Sequence, residues 1–442
     1  MIPLYFRQII ATLTSKEGLK KHLGTSLYAN AYYLMSTHVL ISLGGFAFWI
    51  MAARFYSTEA VGLAGAVLPA IGQLAVIAEL GLGFGIIRFL PGAGNKAGKM
   101  MNSCFSLYLF GAVVVSLIFL FGLELWSPKL LFLRSNAVYF AMFVFFTIIT
   151  GWRSLIENIF VALLSSKYTV MITLISRLTS LPLLALFMFF FDFAGIVSAQ
   201  ILPIAISLAI AFIFFLPRVK KGYIPAIRIN KAIIKQVIPY SFISYIASAL
   251  GAICSMALPL MVLNILDAES NAYYRIALTM SAVVTMISAS LSTSAFAESS
   301  NRENTLLSNL SRGLLLSIVL QLPIIIVIFF FGDKLLLLFG KEYSEAGTTL
   351  LRILAVSNIP RTAISFYATY GRVRKNYRII IGLTVASAIA TLTLTYLLMP
   401  ILGLTGIGVG LLSSHILVCL GIIAIVFRKS PRRVLSRIWR GK

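Results

Sequence analysis

"AVYFAMFVFFTIITGWRSLIENIFVALL", Ala137–Leu164, decides how the rest of this chain is read. Roughly 20 mainly apolar residues in a helix cross a bilayer. This run is longer than that, yet it carries Arg153 and Glu157 in its second half. A charge at the centre of the hydrocarbon costs about 3 kcal/mol on insertion scales, so each needs a partner or a water-filled cavity. Four residues apart, the two share a helix face and can neutralise each other in part. Two readings stand. One is a structural ion pair that also touches a neighbouring helix; in the other the pair lines a cavity and meets a charged substrate or a coupling ion.

The rest of the sequence repeats this apolar pattern. Of 442 residues 60% are hydrophobic and 11% charged, with a mean hydropathy of +0.97, a balance no soluble globular protein of this size keeps. Twelve apolar runs stand out, at about 26–53, 61–87, 101–123, 137–164, 168–191, 194–216, 238–264, 272–296, 313–332, 346–371, 379–400 and 402–427. Backbone polar groups in lipid must be satisfied internally, so runs this long are helices. The expectation is an all-α polytopic membrane protein with twelve transmembrane helices. The connections are too short for a soluble domain.

Charge sets the topology. The formal net charge is +24, but it is spread over short loops instead of forming a patch, which argues against a nucleic-acid partner. With both ends on one side, 27 of the 37 Lys and Arg fall on that side, five on the other (Arg54, Lys129, Arg134, Lys334, Lys341) and five within spans. The positive-inside rule then puts both termini in the cytoplasm of a multi-pass cell-membrane protein. The acids lean outward, among them Glu59, Asp192, Asp267 and Glu345. Five segments follow: a cytoplasmic amphipathic lead-in, 1–24, which lacks the features of a signal peptide; a six-helix bundle, 25–216; a basic cytoplasmic linker, 217–236; a second six-helix bundle, 237–427; and a basic tail, 428–442. "TEAVGLAGAV", Thr58–Val67, and "AESNAYYRIA", Ala268–Ala277, open the second span of each half in a similar way. Halves repeated in this manner would hold a solute site between them near the midplane.

Catalytic chemistry finds little here. His22, His38 and His415 are far apart and without metal-ligand spacing, and Cys104, Cys254 and Cys419 lie singly in apolar runs, so neither a catalytic residue, a metal nor a cofactor is expected. "AGNKAGKM", Ala93–Met100, departs from a phosphate loop at both ends. "GLGFG", Gly81–Gly85, and "GLTGIGVG", Gly403–Gly410, read as close helix packing through small residues. Buried charge is the stronger signal. Arg177, Arg275, Arg352 and Arg361 join Arg153 against the acids Glu79 and Glu157. Such an excess, facing one cavity, asks for an anion, and the guanidinium fork suits phosphate. Snorkelling to the interface is the competing account for Arg275 and Arg177. Arg352 and Arg361 are about half a turn out of phase, which a kink at Pro360 could correct. Tyr240, Tyr245, Tyr273, Tyr274, Tyr367 and Tyr370 offer sugar-binding faces or ordinary interfacial belts.

"ARFYSTEAVGLAGAVLPAIGQLAVIAELGLGFGIIRFLP", Ala53–Pro91, resembles the opening hairpin of the polysaccharide transporter family, with Glu59, Val61, Gly62, Leu63, Glu79, Leu80, Gly81 and Arg88 on its pattern. "SAFAESSNRENTLLSNLSR", Ser294–Arg312, is similar to the segment after the family's eighth span. The resemblance implies the fold of the multidrug, oligosaccharidyl-lipid and polysaccharide exporters, two six-helix bundles around a central cavity. It implies a flippase that moves a polyprenyl-(di)phosphate-linked oligosaccharide from the cytoplasmic to the outer leaflet for surface polysaccharide synthesis. On that reading the substrate-binding candidates are Arg153, Glu157, Arg352, Arg361, Arg275 and Arg177, and the gate candidates are Glu79, Arg88 and Arg54. Partners would be the anionic glycan lipid, the bilayer, H+ or Na+ as coupling ion, and polysaccharide assembly enzymes. The alternative is a cation-coupled multidrug antiporter, against which the first span offers no acid, only Asn30, Ser36, His38 and Ser42. A membrane glycosyltransferase would need a larger external loop than 124–136 or 333–345.

Overall fold

A computed structural model describes residues 26–301, 306–374 and 376–429. The lead-in 1–24, the tail from 430, residues 302–305 of the second family-like segment and the side chain of Tyr240 lie outside the described residues. Thirteen helices of eight residues or more carry the fold: α1 Ser26–Phe55, α2 Thr58–Ala78, α3 Leu82–Phe89, α4 Ala97–Phe121, α5 Ala137–Ala162, α6 Lys167–Phe187, α7 Phe193–Ile210, α8 Lys231–Ile265, α9 Ala268–Asn301, α10 Leu306–Leu336, α11 Lys341–Val373, α12 Tyr377–Leu402 and α13 Leu404–Lys429. A π turn, Ala211–Phe215, and a last turn, Leu216–Val219, extend α7. No strand occurs among the described residues. All but α3 are long helices, and they match the twelve apolar runs. Among the described residues, eleven segments are long and apolar enough to cross a membrane. The remaining long helix, α11, carries Arg352 and Arg361 and is hemmed in by α9, α10 and α13.

Local chemistry explains the boundaries. Ser57 caps α2 by accepting the Ala60 N–H at 3.1 Å, and Asn136 caps α5 by accepting the Val138 N–H at 2.9 Å. The second run is not one helix. It breaks after Ala78, where Leu80 (φ 52°) and Gly81 (φ 75°) turn left-handed, and resumes as α3. Glycine adopts that conformation without steric cost, so Gly81 serves a turn and not the helix packing expected of it. Gly83 does serve close packing, since a Cβ there would collide with the Asn158 amide and the Glu79 carboxylate.

Helices α1–α7 pack among themselves and α8–α13 do likewise, giving the two bundles. The bundles meet chiefly where α2 lies against α8 and α9. The two sequence-similar openings stand face to face there: a Cβ on Gly62 would strike the Ala268 carbonyl, and the Asn271 amide donates to the Gly62 carbonyl at 2.6 Å. This contact belongs to the end of the molecule poor in Lys and Arg. At the same end Arg54 Nε donates to the Leu338 carbonyl at 2.9 Å, Thr58 to Glu342 at 2.8 Å, and Lys129 to the Leu266 carbonyl at 2.7 Å. The Asn264 amide donates to the Trp126 carbonyl at 2.8 Å. Every one of these bonds joins the first bundle to the second.

At the basic end the linker is stitched to α4. The Tyr223 hydroxyl donates to Asn102 Oδ1 at 2.7 Å, and the backbone N–H groups of Ala226, Arg228 and Asn230 donate to Asn102 at 3.2 Å, Ser106 at 3.0 Å and Ser103 at 2.9 Å. Burial, with Cys104 nearby, pushes the Tyr223 phenol up, so it stays a donor. Asn230 then caps α8 through the Ala232 and Ile233 N–H groups.

Candidate functional site

Arg153 and Glu157 face the interior of the first bundle. Nε of Arg153 donates to Glu157 at 2.6 Å, Nη1 to Ser176 at 3.2 Å and Nη2 to Thr173 at 2.7 Å. Thr173, Ser176, Arg177 and Ser180 recur on α6 at helical spacing, which lays one polar stripe against α5. Of these, Thr173, Ser176 and Ser180 are buried. The ion pair is therefore real and is also tied to a neighbouring helix.

Beside it lies a chamber of about 170 Å³, lined by Ile41, Arg153, Glu157, Ser176, Arg177, Gln200 and Ile204. Residues of α1, α5, α6 and α7 build it, so it sits within the first bundle and not between the halves. Room for the Arg177 stem comes from Gly44, where a Cβ would stand 2.7 Å from Arg177 Cδ. Arg177 lies within electrostatic reach of Arg153 and Glu157 but forms no ion pair among the described residues. Two guanidinium groups thus share one carboxylate, which leaves the chamber net positive. Gln200 entered no sequence argument. Its signal was available, because it is the one amide in the apolar stretch of α7.

The other candidates go elsewhere. Arg275 on α9 places its Cζ 4.7 Å from the Trp49 ring of α1, across the bundle boundary, with Nε buried and unpartnered. Arg352 stacks over Phe329 at 5.5 Å, and its Nε is also buried without a partner. Arg361 is exposed, near Tyr274 and His415. None of these three lines the chamber. Glu79 accepts from the Gly83 N–H at 3.0 Å and from Ser154 at 3.0 Å, both within the first bundle. It caps α3 and holds it to α5. Arg88 is exposed at the end of α3 and is not paired with Glu79. Arg54, by contrast, bridges the bundles at the far end.

A family model described as "Polysaccharide biosynthesis protein" matches residues 27–297, more than half of the chain. The chain belongs to this family. Solved structures similar to this chain include the lipid II flippase MurJ in an inward closed conformation, with 12% identity, a TM-score of 0.70, and coverage of 90% of this chain and 87% of that one. An inward-facing multidrug resistance MATE family transporter of the MOP superfamily aligns with 13% identity and a TM-score of 0.67 over 91% and 96%. A MOP superfamily transporter from Pyrococcus furiosus, described by the reverse polarity of its binding pocket, aligns with 13% identity and a TM-score of 0.58 over 92% and 96%. These likenesses establish the fold. No curated protein matches the chain.

The second bundle holds a further polar set that sequence reading passed over. Asn358 donates to Ser281 at 2.8 Å and accepts from Thr285 at 2.9 Å; Gln321 donates to Thr362 at 3.0 Å; Ser292 and Thr369 lie 2.7 Å apart. All three groups join α9 or α10 to α11. Their bonds satisfy one another, which fits helix association in lipid.

Proposed function

We propose that this protein is a flippase that carries a polyprenyl-(di)phosphate-linked oligosaccharide from the cytoplasmic to the outer leaflet by alternating access. The observation that carries the reading is the net-positive chamber inside an otherwise apolar bundle. A family tied to polysaccharide biosynthesis handles glycans, and a lipid-linked glycan crosses hydrocarbon only if its anionic groups find basic partners. Arg177 is the free cation of that chamber and Arg153 its anchored one. The distribution of Lys and Arg supports a cell-membrane protein with both termini cytoplasmic, so the clasped end is the outer one.

The likeness to the MATE transporter supports a second reading, a cation-coupled drug antiporter. The chamber weighs against it, since its one carboxylate, Glu157, is held by Arg153. Native mass spectrometry of protein released gently from its own membrane separates the two. A co-purified polyprenyl-linked glycan, reduced in the Arg177→Gln variant, is the expected result; micromolar binding of organic cations with no such lipid would move the assignment to the antiporter.

A further inference from the structure

The chamber is half committed and half open. Arg153 spends Nε, Nη1 and Nη2 on Glu157, Ser176 and Thr173. Arg177 and Gln200 line the same space and, among the described residues, neither side chain has a hydrogen-bond partner on the protein. The Gln200 Oε1 is buried and accepts nothing. A primary amide offers one acceptor and two donors, and a half-turn about its last torsion presents either end to the chamber. A guanidinium asks for paired anionic oxygens.

A ligand that answers both groups in full brings negative charge to Arg177 and an O–H or N–H to the Gln200 carbonyl. An ionised diphosphate diester can accept from the Gln200 NH2 but brings no donor for its carbonyl. A sugar with a carboxylate beside its hydroxyls supplies both. Ile41 and Ile204 give the chamber apolar walls suited to the C–H face of such a ring. At about 170 Å³ the chamber has room for several waters, and so for the charged end of one sugar residue.

We propose that Arg177 and Gln200 form a subsite for an acidic sugar residue, Arg177 holding the carboxylate and Gln200 an adjacent hydroxyl, so that the glycan transported contains a uronic acid. This rests on the flippase reading above. The diphosphate is left to other basic groups along the path.

The test compares two probes in proteoliposomes, a labelled polyprenyl-diphosphate disaccharide ending in glucuronate and the same lipid ending in glucose. Wild type should move the glucuronate form at least ten times faster, and Arg177→Gln and Gln200→Met should bring the two rates within about twofold of each other. Equal transport of both lipids by wild type overturns the subsite and leaves the flippase standing. Transport of neither overturns the flippase, and calorimetry of the purified full chain then decides the subsite alone. Glucuronate should bind at least tenfold more tightly than glucose or inorganic phosphate; phosphate binding as tight as glucuronate overturns it. The comparison of probes on wild type does not depend on any variant folding.

Discussion

Arg153 has become a framework residue as much as a site residue, because three of its donors are fixed by the protein. Removing it loses the ion pair and both hydroxyl bonds and leaves Glu157, whose side chain is 30% exposed, with Arg177 as its remaining cation, a cost of about 1.5–3 kcal/mol. Arg153→Ala is therefore expected to lower the thermal midpoint in detergent sharply, whereas Arg153→Met combined with Glu157→Leu recovers much of the loss. A double-mutant cycle by thermal denaturation checks this. Tyr56 gives a pH test outside the spans. Its hydroxyl donates to the Leu184 carbonyl at 2.8 Å, and burial, with Asp192 nearby, pushes its phenol up to about 12. The unfolded chain loses that proton near pH 10 while the folded one keeps it, so the contribution is full below pH 10 and lost as pH rises toward 12. Melting curves across that window should show a steeper alkaline decline for wild type than for Tyr56→Phe. The Arg153–Glu157 pair was legible because helical periodicity alone brings residues four apart together. The fates of Arg275, Arg352 and Arg361 were not, since nothing in a helix's own sequence says which neighbour each face will meet.

At the scale of elements, the apolar runs declared almost every helix, and the break at Glu79–Gly81 is the exception. Hydropathy is blind to it, because Leu80 and Gly81 are apolar enough to continue a span while their backbone turns left-handed. The contact of α2 with α9 was half legible: the two similar openings were visible, but their meeting face to face is a tertiary fact. Gly62 permits that approach. Gly62→Val should force the helices apart at the end poor in Lys and Arg and widen the distance between spin labels at Glu59 and Glu269, measured by pulsed electron resonance. An unchanged distance distribution would remove Gly62 from the closure.

For the whole molecule, the packing of α2 on α8 and α9 is supplemented at its rim by two cations of the first bundle set on carbonyls at helix ends of the second. Arg54 reaches the end of α10 and Lys129 the end of α8, where the helix dipole favours positive charge. Each such contact, at an exposed side chain, is worth about 0.3–1 kcal/mol. Losing both in Arg54→Ala, Lys129→Ala should shift the balance toward the form open at that end by roughly tenfold for each 1.4 kcal/mol, read as faster alkylation of a single cysteine introduced at Asn264. The opposite end is governed by the stitched linker. Its extended stretch from Tyr223 to Asn230 has no slack, because its backbone is fastened along α4 and its last residue is also the cap of α8. For the alternating access proposed above this fastening is a hinge pin: it ties the start of the second bundle to α4, so lengthening the stretch by a few residues would turn a lever into a loose tether and is expected to disconnect opening at one end from closing at the other.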